Sequence, residues 1–260
     1  MAVIVIPARH GSQRFPGKPL AALRGAGGEA RSLIRRAWEA AMAVPGVEGV
    51  WVATDDDRIA AAALGFGAEV VMTPETCRNG TERVAAAVAA LGLDARVVVN
   101  LQGDAPLTPP WFVTALMEAL EGVEGPVMAT PVLRCSEDTL AMFREDRRHG
   151  RVGGTTAVVG ADGRALYFSK EVLPFGGGGA VPVFHHVGVY AYTPAALAAY
   201  GALPPGRLEL AEGLEQLRFL ENGLAVTCVE VEDRGRAFWE VNTPEDVARV
   251  EAMLLAEGIE

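Results

Sequence analysis

Arg9, Arg14 and Lys18 lie in one stretch directly after an apolar run at residues 3–6, with Gly11 and Gly17 set among them. Fixed cations and free backbone N–H groups converging at one place are what a chain of phosphate oxygens requires. The two glycines let the backbone bend close to such a ligand. A basic surface loop is the alternative, but in a chain of net charge −10 cations gathered at one strand end stand out. The loop is neither of the common phosphate motifs. Gly17-Lys18 is followed by Pro19, and no Gly-x-Gly-x-x-Gly follows the apolar run. A second group with chemistry is Asp104, in Gln102-Gly103-Asp104-Ala105-Pro106. A single carboxylate facing a held triphosphate suits Mg²⁺, which takes one or two carboxylates and fills its shell with phosphate oxygens and water. Capping the next helix is its other possible use. The third group is Arg78-Asn79-Gly80-Thr81-Glu82-Arg83.

These groups need elements to place them. Residues 3–6, 49–54, 69–72 and 96–101 are apolar and β-branched, the pattern of strands buried on both faces of a parallel sheet. Pro7 is expected to end the pairing of the first strand, since it has no N–H to give. Helical segments alternate with the strands. Ser32 caps one running to about residue 42, Asp55-Asp56-Asp57 start another, residues 84–91 form a third, and Pro109 opens a fourth. As acids at a helix start, the three aspartates need no metal. The alternation gives βαβ units, in which ligands bind beyond the carboxyl ends of the strands, where the Arg9–Lys18, Arg78–Arg83 and Gln102–Pro106 loops fall. After about residue 126 strands predominate, at 126–133, 155–159, 164–168 and 186–192, with a flexible four-glycine loop at 176–179. A helix at 210–220, a strand at 225–231 and a helix at 244–255 complete the chain. The expected fold is α/β: a mostly parallel, Rossmann-like sheet with helices on both faces and a smaller antiparallel insertion. We expect a single domain over 1–260, with an insertion at about 134–192 that also supplies a dimer face.

Composition narrows the function. The chain is half hydrophobic, yet no apolar run reaches the roughly 20 residues needed to span a membrane, and no basic segment precedes the first strand as in a signal peptide. Its acidity argues against a nucleic-acid partner. Cys77, Cys135 and Cys228 have no metal-ligand spacing and cannot all pair, which points to a reduced, cytoplasmic setting. Only Lys18 and Lys170 are lysines among 23 basic residues. Retained lysines in so arginine-rich a chain suggest sites where a point charge matters.

The first loop, Pro7-Ala8-Arg9 through Ser12 and Arg14 to Pro16-Gly17-Lys18-Pro19-Leu20, closely resembles the signature loop of the sugar-acid cytidylyltransferases, above all the CMP-Kdo synthetase family of nucleotidyltransferases. Asn79-Gly80-Thr81-Glu82-Arg83 is similar to that family's Ser-Gly-Thr-Glu-Arg, and Asn100-Leu101-Gln102-Gly103-Asp104-Ala105-Pro106 to its Asn-Val-Gln-Gly-Asp-Glu-Pro. Residues 165–170, 186–190 and 214–218 are likewise similar, so the resemblance covers nearly the whole chain. It implies a nucleotidyltransferase fold and a homodimer that moves CMP from CTP to a small acidic acceptor, 3-deoxy-manno-octulosonate (Kdo) or a related ulosonic acid, releasing pyrophosphate. It also implies a division of residues. Arg9, Arg14, Lys18 and Asp104 would be catalytic. Ala8, Arg9, Ser12, Lys18, Asn79, Gly80, Thr81, Arg83 and Gln102 would hold the nucleotide. Gln102, Lys170, His186, Tyr190, Glu215 and Gln216 would hold the acceptor, and Asp104 with Asn242 the Mg²⁺. Read without the resemblance, His186 is more simply a core histidine.

Three positions depart from the family. Ala105 replaces an acid, Lys170 replaces Arg, and Asn242 stands where the family has the Asp of Val-Asp-Thr-Pro-Glu-Asp. The last removes a negative charge from the metal position, which an acceptor with its own extra anion could make good. A small carboxylated phosphonate such as phosphonoformate is therefore an alternative acceptor. A non-catalytic nucleotide-binding protein and a pyrophosphorylase using UTP or GTP are the remaining alternatives.

Overall fold

A computed structural model of the chain describes residues 1–11, 14–152, 154–236 and 238–260. Ser12 therefore lies outside the described residues. Two compact units emerge, Met1–Thr114 with Asp233–Glu260, and Ala115–Glu232. The second is wider than the 134–192 insertion expected from sequence. It also takes in the strand before that span and the helices and strand after it.

The first unit is built on parallel strands. β1 (Ala2–Ala8) lies between β4 (Gly49–Thr54) and β6 (Val97–Leu101), with β5 (Glu69–Met72) outside β4. Every residue of β1 and β6 is buried, so both faces of the sheet are covered. Pro7 stays inside β1, contrary to expectation. Pairing with β6 stops at Val5, whereas pairing with β4 runs on to Ala8. The ring's missing N–H thus ends one ladder and spares the other. The helices are α1 (Leu33–Met42), α2 (Asp57–Gly65), α3 (Gly80–Leu91), the start of α4 (Pro110–Ala119), and α9 (Pro244–Glu257). The glycine-rich stretch after residue 24 is the turn of a hairpin, β2 (Ala22–Arg24) with β3 (Ala30–Ser32).

The second unit is mainly antiparallel. β7 (Met128–Arg134) pairs with β10 (Phe184–His186) and β11 (Val189–Tyr192), β10 pairs with β8 (Thr155–Val159), and β8 with β9 (Ala165–Ser169). One parallel pair, β12 (Val226–Glu230) with β7, completes it. The single strand expected at 186–192 is broken at Val187 and Gly188. Its partner there is Pro131, which has no N–H to donate, and the Thr130 hydroxyl sits within 3.2 Å of the Val187 carbonyl and 2.9 Å of the Val189 carbonyl instead. The helix expected at 210–220 is likewise two, α7 (Arg207–Glu212) and α8 (Leu217–Glu221), parted by Gly213 at φ 63°. Two helices, α5 (Glu137–Arg148) and α6 (Pro194–Ala202), have no counterpart in the sequence expectation. The glycine loop is tied down, since Arg144 donates to the Gly177 carbonyl at 2.7 Å and Gly178 N–H to the Val181 carbonyl at 2.7 Å. No helix among the described residues is long and apolar enough to cross a membrane.

Candidate functional site

In the first unit, the loop after β1 is closed by Gly17, whose N–H donates to the His10 carbonyl at 3.0 Å. Gly17 adopts φ 70°, a left-handed conformation that glycine takes without cost. It hands the chain to a single 3-10 turn, Lys18–Leu20, which sets Lys18 against Asp104. Lys18 Nζ lies 2.6 Å from Asp104 Oδ2, and the pair is largely shielded, with side chains 13% and 25% exposed. Val241 N–H donates to the Asp104 carbonyl at 2.9 Å, so the strand end carrying Asp104 and the segment carrying Asn242 are joined through the backbone. Arg14 Nη2 then donates to Asn242 Oδ1 at 3.0 Å, and Arg9 Nη1 to the Arg78 carbonyl at 3.3 Å. Four residues singled out as catalytic from sequence, Arg9, Arg14, Lys18 and Asp104, therefore share this unit, with Asn242 beside them.

Asn242 owes its place to Asp246, in the first turn of α9. The Asp246 carboxylate accepts from the N–H groups of Asn242 at 2.9 Å and Thr243 at 2.8 Å, and from Trp239 Nε1 at 2.8 Å. Burial works to raise its pKa, but these bonds, led by Trp239, outweigh it and hold the carboxyl below the usual carboxylate value. Nothing in the sequence pattern beyond a Thr-Pro-Glu-Asp helix start marks this anchor.

The third loop starts α3. Asn79 Oδ1 caps the helix by accepting from Glu82 N–H at 2.9 Å. At Gly80 a Cβ would fall 2.7 Å from Gln102 Nε2 and 3.3 Å from Asn100 Nδ2, so the missing side chain lets the Gln102 amide lie against the helix start. Asn100 is fully buried, and both its amide atoms lack a hydrogen-bond partner among the described residues. Thr81 is buried beside them, and Ala8 is the buried last residue of β1. Arg83 stands differently from expectation. Its buried guanidinium is engaged by Asp55 Oδ2 at 2.7 Å and Thr73 Oγ1 at 2.5 Å, so it braces the sheet rather than offering a free charge. The aspartate run is thereby accounted for, because Asp56 caps α2 and Asp55 holds Arg83.

These donors can be tested against Mg²⁺. Asp104 spends Oδ2 on Lys18, which leaves its second oxygen to a cation, and the Asn242 amide adds a neutral oxygen already shared with Arg14. Among the described residues no cluster of three metal-binding side chains exists. The donor set therefore fits a Mg²⁺ held by one carboxylate that completes its shell with phosphate oxygens and water.

In the second unit, His186, Tyr190 and Gln216 are linked, and Lys170 is held separately by the Glu212–Gly213 turn. His186 is buried, with Nε2 2.9 Å from Thr130 Oγ1 and its ring 5.7 Å from that of Tyr190. The Tyr190 hydroxyl donates to Gln216 Oε1 at 3.3 Å, and the buried Gln216 Nε2 has no partner among the described residues. Lys170 N–H is held by Glu212 Oε2 at 2.9 Å, and its ammonium sits over Gly213, where a Cβ would come within 3.0 Å of it. No carboxylate among the described residues pairs with that ammonium. Glu215 lends its carbonyl to the Tyr200 hydroxyl at 3.3 Å. The brace behind these groups is Arg218, which grips Glu209 through two bonds of 2.6 and 2.7 Å and lies 4.1 Å over the Tyr200 ring. Burial, with the neighbouring His185 adding to it, depresses His186 to about 3, so the ring is neutral where it meets Thr130.

Comparison with known proteins bears on this arrangement. A family model described as "Cytidylyltransferase" matches residues 3–227. A 3-deoxy-manno-octulosonate cytidylyltransferase of Maricaulis maris (strain MCS10) is 47% identical over 98% of this chain and 97% of its own length. An 8-amino-3,8-dideoxy-manno-octulosonate cytidylyltransferase of Shewanella pealeana is 40% identical over 98% of each. Among solved structures, that of CMP:2-keto-3-deoxy-manno-octonic acid synthetase complexed with CTP superposes with a TM-score of 0.83 at 35% identity, covering 98% of this chain and 99% of that one.

Proposed function

The chain belongs to the cytidylyltransferase family, and from that premise we propose that it transfers CMP from CTP to Kdo or a close relative with release of pyrophosphate. The observation that carries this reading is the first-unit cluster, in which Lys18 and Asp104 sit 2.6 Å apart with Arg9 and Arg14 beside them. Phosphoryl transfer asks the protein mainly for positioning and charge, which is what such a cluster supplies. Arg9 and Arg14 neutralise the triphosphate. Lys18 meets the charge that builds on the departing pyrophosphate. Gln102 and the α3 start, opened by Gly80, face the nucleoside, with Asn79 and Thr81 shaping that turn. Asp104, aided by Asn242, would hold a Mg²⁺, which when bound supplies further charge neutralisation and aligns phosphate oxygens for in-line displacement. Arg83 serves through the fold alone.

In the second unit, Lys170 is the cation for the acceptor carboxylate, while His186, Tyr190 and Gln216 offer neutral hydrogen-bonding edges to a polyol. A ulosonic acid suits one cation among neutral groups better than a small phosphonate does, because a phosphonate carries more charge and fewer hydroxyls. We further propose a cytoplasmic homodimer. The three free cysteines fit a reducing compartment, and the exposed Phe175 and Val181 of the glycine loop offer an apolar surface for self-association. The test is pyrophosphate release from CTP with Kdo, 8-amino-Kdo and phosphonoformate as acceptors. Turnover is expected with a ulosonic acid. Turnover with phosphonoformate alone would replace the acceptor, and tight CTP binding with no turnover on any acid would turn the reading to a binding protein.

A further inference from the structure

The three loop cations differ in what holds them. Lys18 is matched by the Asp104 carboxylate, a pair of zero net charge. Arg9 is held by a backbone carbonyl, and Arg14 by the Asn242 amide. Neither arginine has a carboxylate partner among the described residues, so both carry their full charge into the site. The nearby Asp246 directs its hydrogen bonds to Asn242, Thr243 and Trp239 and forms no ion pair with Arg14 among the described residues. Asn242 is moreover a fixed part of the site. Its backbone is pinned by Asp246 on one side, and its neighbour Val241 by the Asp104 carbonyl on the other.

We propose that Asn242 is a charge-setting residue that, by holding Arg14 through a neutral oxygen, makes the site bind a triphosphate without help from a divalent cation. A carboxylate at the same place would form an ion pair with Arg14, and an incoming phosphate would have to break it. Recovery of affinity would then depend on a cation to screen the added charge. The inference rests on the triphosphate reading of the loop and deepens it, by assigning metal dependence to one amide.

The test is calorimetric titration with CTP and with inorganic tripolyphosphate, each in EDTA and in excess Mg²⁺, on the native protein and on N242D, N242A and R14Q. In EDTA, N242D is expected to bind about tenfold more weakly than the native protein, and in Mg²⁺ the gap closes to within about threefold. N242A, which loses the hydrogen bond and adds no charge, should lose less than N242D. In the R14Q background the N242D penalty should largely vanish. Equal binding by the native protein and N242D in EDTA overturns the proposal, as does an equal loss in N242A and N242D, or a penalty that persists without Arg14. Thermal melting of each variant guards against misfolding. Tripolyphosphate separates the two levels of inference. If it binds and CTP does not, the nucleotide assignment fails while the charge comparison still decides the role of Asn242.

Discussion

At the scale of single residues, the proposed function divides the work between the two lysines. Lys18→Ala leaves Asp104 without its partner and removes the charge that meets pyrophosphate, so kcat should fall by two or more orders of magnitude while the fold persists. Pyrophosphate release beside a circular-dichroism melt checks both parts, and unchanged turnover would remove Lys18 from the catalytic set. Lys170→Ala should instead raise KM for the acid about 10- to 100-fold and spare KM for CTP, with Lys170→Arg restoring most of the loss. Steady-state kinetics in which each substrate is varied separates these effects. Residues of this kind were legible because their types sit in short contiguous loops at strand ends. Arg83 was not, since its partner Asp55 lies in a different loop, after β4, and no local spacing announces the pair. Asn100 and Asp246 were likewise hidden. One is a polar residue inside an apolar strand, the other an acid in the first turn of a helix, and only tertiary placement gives either a task.

Among elements, the start of α3 makes the sharpest prediction. A methyl at Gly80 meets the far end of the Gln102 side chain, which can swing away, and not rigid backbone. Gly80→Ala should therefore cost little stability but move Gln102, raising KM for CTP several-fold with a melting temperature within a few degrees of native. A large drop in melting temperature with normal KM would contradict this. The second unit depends on the α7–α8 brace, where a buried charge pair becomes costly once one partner is gone. Glu209→Gln should destabilise the protein by about 3 kcal/mol, measured by urea unfolding. Strands were legible from their apolar runs and the first helices from alternation. α5 was not, for only Leu140 and Phe143 are buried on it and apolar periodicity has little to show. Its ends were readable, with Ser136 as cap, acids in the first turn and arginines in the last. The breaks at Gly213 and Gly188 lie within runs whose apolar pattern continues across them, so periodicity alone joined what the backbone divides.

For the molecule as a whole, the adjacent His185 and His186 set a limit in acid. Burial, the leading cause in both, depresses them to about 4 and about 3, from an ordinary 6.5. Below about pH 6.5 the unfolded chain takes up protons that the folded chain refuses. Stability is therefore full above that pH and is lost as pH falls toward 4, at up to about 1.4 kcal/mol per unit for each ring. Urea unfolding between pH 7.5 and 4.5 should show this slope, and His186→Gln should remove roughly half of it; a flat profile would mean the rings are hydrated. The placement of the lysines has a spectroscopic consequence. With Lys18 in one unit and Lys170 in the other, reductive methylation with ¹³C-formaldehyde would install only two side-chain resonances besides that of the α-amine. One methyl signal would move on addition of CTP and the other on addition of the acid, so a single spectrum could follow the order in which the two substrates arrive.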